Sequence, residues 1–328
     1  MAAPLPLEIT GLQTTLFTRG GALKAVDGLS LSVGAGETVA LVGESGCGKS
    51  LSALSVMRLL PDPPARIVGG SVKLNGRDIV PLPEEAMLGI RGKEIGMIFQ
   101  DPISSLNPVA TVEKQIVEVL MTHTALGRRQ ARLRAQELLE LVGMPDAGRR
   151  LDAYPHQLSG GMCQRVVIAM AIACSPSVLI ADEPTTALDV TVQAQVLALL
   201  KRLQADAGMA MVFITHDLGV VAETADRVVV MYAGRKVEEA TVDDLFENPL
   251  HPYTAGLIGA TPTPGAERAA RLADIPGMVP ALHALSEGCA FAPRCKRVMD
   301  RCRKEQPQLT EPKPGRMVAC FAAERDAA

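Results

Sequence analysis

Gly43-Glu44-Ser45-Gly46-Cys47-Gly48-Lys49-Ser50 decides how the rest of the chain is read. The stretch matches G-x-x-x-x-G-K-[ST] in full, with an apolar run from Thr38 to Val42 before it and a helical pattern from Leu51 to Leu60 after it. That strand–loop–helix context separates a phosphate loop from a Gly-rich turn ahead of an ordinary helix. A triphosphate must leave water without losing hydrogen bonds. Glycines let the backbone curl so that successive N–H groups point inward, and the start of the helix adds its positive dipole end. Lys49 is expected on the terminal phosphates and the Ser50 hydroxyl on Mg²⁺. The candidate nucleotide-binding residues here are Gly43, Ser45, Gly46, Cys47, Gly48, Lys49, Ser50 and Leu51.

The whole chain bounds the possibilities. Its 328 residues suffice for one large or two modest domains, and 48% apolar content suffices for a full core. A net charge of -3, 3% aromatics and no Trp argue against nucleic acid as the main partner. Residues 1–6 lack the basic start and apolar core of a secretory signal. The longest strongly apolar stretch, Val166 to Cys174, is far too short to span a membrane. A soluble chain is expected, reaching a membrane only through a partner. Cys47, Cys163 and Cys174 are scattered, whereas Cys289, Cys295, Cys302 and Cys320 crowd the tail. Use of ATP implies the cytoplasm, where disulfides are rare, so the tail set points to metal or redox chemistry.

Upstream, Leu7 to Phe17 and Leu23 to Val33 read as strands joined by the turn Arg19-Gly20-Gly21. Phe17 could stack on an adenine ring, but alone it reads as core. Downstream, Pro61 to Pro64 ends the first helix, and Ser71 to Leu74 forms a strand before the turn Asn75-Gly76. Ile95 to Phe99 is a short strand running into Gln100, which could ligate Mg²⁺ or orient water but alone reads as a loop residue. Thr111 to Gly143 is helical, with Val112, Ile116, Val119 and Leu120, then Leu133, Leu138, Leu139 and Val142, at helical spacing. The cluster Arg128, Arg129, Arg132 and Arg134 reads as a solvated face.

Ser159-Gly160-Gly161 then caps a helix running through Ala173. It exposes backbone N–H groups in a second anion site, one suited to a nucleotide held by another subunit. Val178 to Ala181 is an apolar strand ending in Asp182 and Glu183. Carboxylates there need a cation to meet or a proton to move. Asp182 suits Mg²⁺, and Glu183 suits an attacking water. Thr191 to Ala207 forms a helix, and the strand Met209 to Ile214 delivers His216. Polar groups leaving the ends of several strands of one parallel sheet converge where such sheets bind ligands. Arg227 to Tyr232 and Lys236 to Glu238 close the pattern around Ala233-Gly234.

In this order the motifs resemble the ATP-binding subunits of ABC transporters over about residues 7 to 260. Phe17 lies at the family's adenine-stacking aromatic, Gly43 to Ser50 at Walker A and Gln100 at the Q-loop. Leu158 to Gln164 lies at the signature, with Val178 to Asp182 at Walker B and Glu183 at the catalytic glutamate. Thr186-Ala187-Leu188-Asp189 lies at the D-loop and His216 at the switch histidine. Three features resemble the dipeptide and oligopeptide importers within that family, which also includes nickel importers. They are Met162 in the signature, the stretch Gln100 to Pro108, and Asn248-Pro249-Leu250-His251-Pro252-Tyr253-Thr254. Cys163 departs from the Arg usual at its position.

The resemblance implies an α/β, ABC-type P-loop ATPase with a mixed-sheet core, an antiparallel β subdomain and an all-helical signature subdomain at about 101–173. It places the ATPase domain at 1–245 and a C-terminal extension with a small four-Cys tail at 246–328. It implies catalytic roles for Glu183, His216, Gln100 and Lys49, and Mg²⁺ held by Ser50, Gln100 and Asp182. ATP would be shared with Ser159, Gly160 and Gly161 of a second ATPase subunit, identical or paralogous. Two transmembrane permeases, and indirectly an extracytoplasmic solute-binding protein, would complete the importer at the cytoplasmic face of the membrane. The spacing of Cys289, Cys295, Cys302 and Cys320 fits neither the usual zinc ribbons nor the ferredoxins and leaves a metal site and spare thiols equally open; the resemblance implies a [4Fe–4S] cluster there. Nickel, glutathione or other small solutes are alternative cargoes. A soluble ATPase acting on DNA or ribosomes is the alternative from another class.

Overall fold

In the computed structural model the described residues are 4–186, 188–261 and 275–327. Twelve strands are present among them: β1 (Leu7–Thr18), β2 (Gly21–Val33), β3 (Thr38–Val42), β4 (Ala65–Leu74), β5 (Arg77–Asp78), β6 (Ile95–Ile98), β7 (Val178–Asp182), β8 (Ala210–Thr215), β9 (Arg227–Tyr232), β10 (Arg235–Thr241), β11 (Thr310–Lys313) and β12 (Arg316–Val318). The chain divides into two compact units. One is chiefly Lys73–Phe213 with Val33–Glu37; the other joins Glu8–Ser32 and Thr38–Val72 to the described residues from Ile214 onward.

In the first unit β6 and β7 pair in parallel, Ile95 opposite Val178 and Ile98 opposite Ala181. Every residue of β6, β7 and β8 is buried, as expected of strands covered on both faces. Three helices, Val112–His123, Arg128–Leu141 and Gly160–Ile172, pack on one another as the helical insertion. Thr111 caps the first of them by accepting from Lys114 N at 3.3 Å. Ala131, Ala135, Leu138 and Leu139 form the buried stripe of the second, while Leu133, expected on that stripe, lies outside it and is exposed. The arginine cluster is a solvated, ion-paired face: Arg132 meets Glu113 and Asp152, and Arg134 meets Glu137 at 2.8 Å.

In the second unit β2, β1 and β4 are neighbours in that order, and β11, β12, β10, β9 and β3 run side by side. β3 and β9 are parallel, whereas β9–β10, β10–β12 and β11–β12 are antiparallel, so the sheet is mixed. β4 begins at Ala65, earlier than the expected Ser71, because Gly69-Gly70 interrupts the alternation of its side chains.

One core joins Ala40 and Val42 of β3, Val228 and Val230 of β9, Leu218 and Val221 of the helix Leu218–Thr224, and Tyr253 and Phe291 from residues beyond 246. Tyr232, Tyr253 and Phe291 meet edge to face or tilted, with centroids 4.7 to 5.4 Å apart, an arrangement that adds to simple burial. Cys289 and Cys295 pack against the same core.

His251 and Glu238 are buried beside it. Glu238 accepts from Leu250 N at 2.8 Å and His251 N at 2.9 Å. His251 Nδ1 accepts from Tyr253 N at 3.0 Å, so the neutral ring is the form the fold uses. Burial pushes the His251 pKa down to about 3 from an ordinary 6.5. The unfolded chain therefore takes up a proton below pH 6.5 that the folded chain refuses. Stability is retained above that pH and falls below it, by up to ~1.4 kcal/mol per pH unit. Urea unfolding at pH 7.5, 6.0 and 5.0 should show this fall, and His251→Asn should flatten it. An unchanged slope in that variant would assign the acid sensitivity elsewhere.

Candidate functional site

The phosphate loop lies between β3 and the helix Lys49–Met57, which starts two residues earlier than the apolar pattern suggested. Gly43, Gly46 and Gly48 have φ of 150°, 80° and 103°. A Cβ on Gly43 would stand 2.3 Å from the carbonyl oxygen of Met231, and one on Gly48 would stand 2.5 Å from that of Ala25. The loop is thus pressed against neighbouring backbone at a separation only glycine permits. Gly234 N donates to Cys47 O at 2.9 Å, fixing the loop to the β9–β10 turn. Gly48 caps the helix without a side-chain bond, and no acid stands in the first turn. The helix start therefore keeps its anion-binding character.

Lys49 is buried, and its Nζ donates to Gly43 O at 2.7 Å and Glu44 O at 3.2 Å. Cys47 is fully buried, and burial pushes its thiol pKa up. His216 lies with Val42, Gly43, Glu44 and Leu218 around a cavity of about 220 Å³, completed by Leu257, Ala260 and Thr261. The sequence-predicted histidine is therefore beside the loop. Asp217 holds the following helix by accepting from Gly219 N at 2.8 Å and Val220 N at 3.3 Å. Phe17 is 51% exposed, so the reading of this residue as core is wrong: a strand end leaves its ring in solvent.

In the other unit the parallel pairing of β6 and β7 sends Gln100 and the Asp182–Glu183 pair off the same ends of adjacent strands. Gln100 Nε2 donates to Glu183 Oε2 at 3.1 Å, and Thr186 Oγ1 donates to the same oxygen at 3.0 Å. Glu183 has φ 46°, a left-handed conformation unusual for a side-chain-bearing residue and one that recurs at functional sites. Asp182 is buried at the end of β7. Ser159 caps the helix Gly160–Ile172, accepting from Met162 N at 3.4 Å. Gly160 has room around it, but a Cβ on Gly161 would stand 2.7 Å from Val192 Cγ1. Cys163 fits where it stands because it is buried and donates to Pro155 O at 3.6 Å. Asp189 caps the helix Val190–Ala207 through Val192 N at 3.0 Å; Ala187, two residues before it, lies outside the described residues.

The four tail cysteines are free thiols that line one cavity with His251, Phe291 and Phe321. Burial pushes Cys289 up to about 11 and also raises Cys295 and Cys320. Among the described residues no group of three His, Cys, Asp or Glu side chains is arranged to hold a metal ion. Residues to which sequence reasoning assigns no role of their own are Thr186 and Tyr253, which enter it only as parts of motifs, and Arg294, which does not enter it at all: Thr186 shares Glu183 with Gln100, and Tyr253 and Arg294 both reach Glu44. Their positions within Thr186-Ala187-Leu188-Asp189, His251-Pro252-Tyr253 and Arg294-Cys295 were the available signals.

The prediction from this geometry concerns Gly43. Gly43→Ala should lower the melting temperature by several degrees and abolish nucleotide binding, whereas Gly46→Ala, with open space around its Cβ, should do less. Thermal melts and nucleotide titration of both variants check it; equal behaviour would remove the backbone contact as the constraint.

Residues 26–186 match the family described as ABC transporter, and residues 237–302 match the oligopeptide/dipeptide transporter C-terminal region. The chain is 51% identical to the oligopeptide transport ATP-binding protein AppD of Bacillus subtilis, over 98% of each chain. It is 50% identical to OppD of the same organism, an oligopeptide transport ATP-binding protein, over 92% of this chain and 85% of that one. Among solved structures, the dimeric post-hydrolysis ATP-binding cassette MJ0796 with ADP and Pi aligns with a TM-score of 0.65 at 28% identity. That alignment covers 72% of this chain and 98% of the cassette. With its phosphate loop, signature helix and matched C-terminal region, the chain belongs to the ABC transporter ATP-binding subunits of the dipeptide and oligopeptide importer family.

Proposed function

We infer that this chain is the ATP-hydrolysing subunit of an ABC importer that takes up dipeptides or oligopeptides. The observation that carries the ATPase reading is the glycine loop closed on backbone at Met231 and Ala25, with Lys49 buried over its carbonyls. The matched C-terminal region and the oligopeptide transport names of the relatives support the cargo class.

One ATP would be served by Lys49 and Ser50, with Gly43, Ser45, Gly46, Cys47, Gly48 and Leu51 lending backbone, and by Phe17 at the base. Water attacks the γ-phosphorus in line, the bond to the bridging oxygen of the β-phosphate breaks, and ADP and phosphate leave. Glu183 orients that water and takes its proton. Gln100 and His216 position the reacting groups, and Lys49 stabilises the developing charge. Ser50, Gln100 and Asp182 offer the hard oxygen donors that Mg²⁺ takes; bound there, the ion would neutralise phosphate charge. Gln100 holds Glu183 through Nε2, which leaves its amide oxygen for the metal. Ser159, Gly160 and Gly161 would close over the ATP of a second ATPase subunit.

No described helix is long and apolar enough to cross a membrane. The membrane path would come from two permease subunits, with this chain peripheral on the cytoplasmic face and an extracytoplasmic binding protein delivering cargo to the other side. Residues 1–245 would be the ATPase domain, with its helical part at about 101–173, and residues 246–328 the extension. Glu183→Gln should bind MgATP with near wild-type affinity while hydrolysing it at least a hundredfold more slowly. Turnover near the wild-type rate would remove Glu183 from its role.

Cys289, Cys295, Cys302 and Cys320 line one cavity, and four cysteine thiolates are the usual complement of a [4Fe–4S] cluster. Cys289, Cys295, Cys302 and Cys320 would hold it, and it would act as a covalent cross-link of the tail. Anaerobic purification should give a brown protein containing iron and sulfide. A colourless, folded protein without either element would rule the cluster out, and zinc in its place would reassign the site.

A further inference from the structure

Glu44 is the second residue of the phosphate loop, a position the motif leaves open, and it is held from three sides. Its carbonyl accepts from Lys49 Nζ at 3.2 Å. Its backbone N–H donates to Tyr253 Oη at 2.8 Å. Its carboxylate takes a two-pronged ion pair from Arg294, at 2.6 Å from Nη1 and 2.9 Å from Nη2. Two of the three partners come from residues beyond 246.

Arg294 is built for this contact. Its side chain is only 5% exposed. Nε donates to Pro276 O at 2.9 Å, Nη2 also to Ile275 O at 3.3 Å, and Nη1 also to Tyr232 Oη at 3.4 Å. Every nitrogen of the guanidinium thus has an acceptor, and the neighbouring Glu44 side chain keeps the group firmly protonated. Its carbon lies about 6 Å from the centroids of both Tyr232 and Phe291. A fork satisfied on all sides and backed by aromatic rings has little freedom, and its geometry is one that lysine cannot copy. Tyr253 is equally fixed: it is fully buried and wedged between Tyr232 and Phe291.

We propose that Arg294 and Tyr253 are positioning residues for ATP. They fix Glu44, and through its carbonyl they set where the Lys49 ammonium stands, so the C-terminal extension is a working part of the nucleotide site. Both act through Glu44 rather than on the nucleotide itself. The proposal rests on the reading of Gly43 to Ser50 as the ATP loop.

The test uses the full-length chain and MgATP titrated by calorimetry, with a melting temperature for each variant. Arg294→Gln and Glu44→Gln should each weaken MgATP binding about tenfold, which corresponds to ~1.4 kcal/mol. The double variant should be little worse than either, because both changes remove one interaction. Phe246→Ala loosens the same core without reaching Glu44; it should lower the melting temperature and leave affinity near wild type. If Arg294→Gln fails to fold, Tyr253→Phe carries the test, since it removes only the hydroxyl that accepts Glu44 N–H.

Wild-type affinity in the Arg294 or Tyr253 variant overturns the proposal. So does a double variant equal to the sum of the singles, or an affinity that merely follows melting temperature across all variants, Phe246→Ala included. A wild-type chain that binds no MgATP overturns the ATP-loop reading itself and the proposal with it. That result is distinct from normal wild-type binding with indifferent variants, which overturns the proposal alone.

Discussion

The contact between the phosphate loop and the backbone beneath it constrains everything around it. Gly43 lies on Met231 O and Gly48 on Ala25 O, with no room for a side chain at either point. β9 has to run parallel to β3 in one register, Val42 opposite Val230, for Met231 to arrive there. The β9–β10 turn has to deliver Gly234 N to Cys47 O. A loop whose N–H groups are to replace water around phosphate cannot rely on flexible side chains to hold it; the backbone fit supplies the rigidity in advance. The same fit explains why β3 is buried along its whole length and why the loop emerges where a sheet of this type binds its ligands.

The other half of the chemistry is organised by hydrogen bonds rather than close packing. Glu183 is poised by Gln100 and Thr186 in a left-handed conformation. Asp182, one residue earlier, is buried at the end of β7. Two adjacent acids thereby acquire different surroundings, which suits one to a cation and the other to water. The signature helix shows a third solution: Ser159 caps it, and Gly161 lets Val192 approach closely.

Most of the ATPase fold was legible in the sequence because its strands are continuous apolar runs ended by glycine, proline or acids. Thr38 to Val42, Val178 to Asp182 and Arg227 to Tyr232 appear as expected. Lys49 could be placed from the G-x-x-x-x-G-K-[ST] pattern, Ser159 as a helix cap, and Glu183 and His216 because each follows an apolar strand; Gln100 by itself read as a loop residue and took its role from the family resemblance. Phe17 could not be placed, because nothing local distinguishes a buried phenylalanine from one left exposed at a strand end. The extension was least legible. Its elements are short: the 3₁₀ turn Ala292–Arg294, the helix Asp300–Lys304 and two strands of four and three residues, too brief to show a period. Its key residues act through partners about two hundred positions away or more, Tyr253 and Arg294 on Glu44, which no local pattern encodes.

Those two short strands do something else for the molecule. Left alone, β10 would present a row of unpaired N–H and C=O groups, a template for any passing extended chain. β12 lies along it, Glu238 opposite Val318 and Glu239 opposite Met317. The new outer strand, β11, reads Thr-Glu-Pro-Lys. A proline cannot donate to a ladder, and paired charges repel an incoming apolar strand. The tail thus exchanges a recruiting border for an unreceptive one. An extended chain arriving at this border finds a proline and charged side chains where a free ladder would have been.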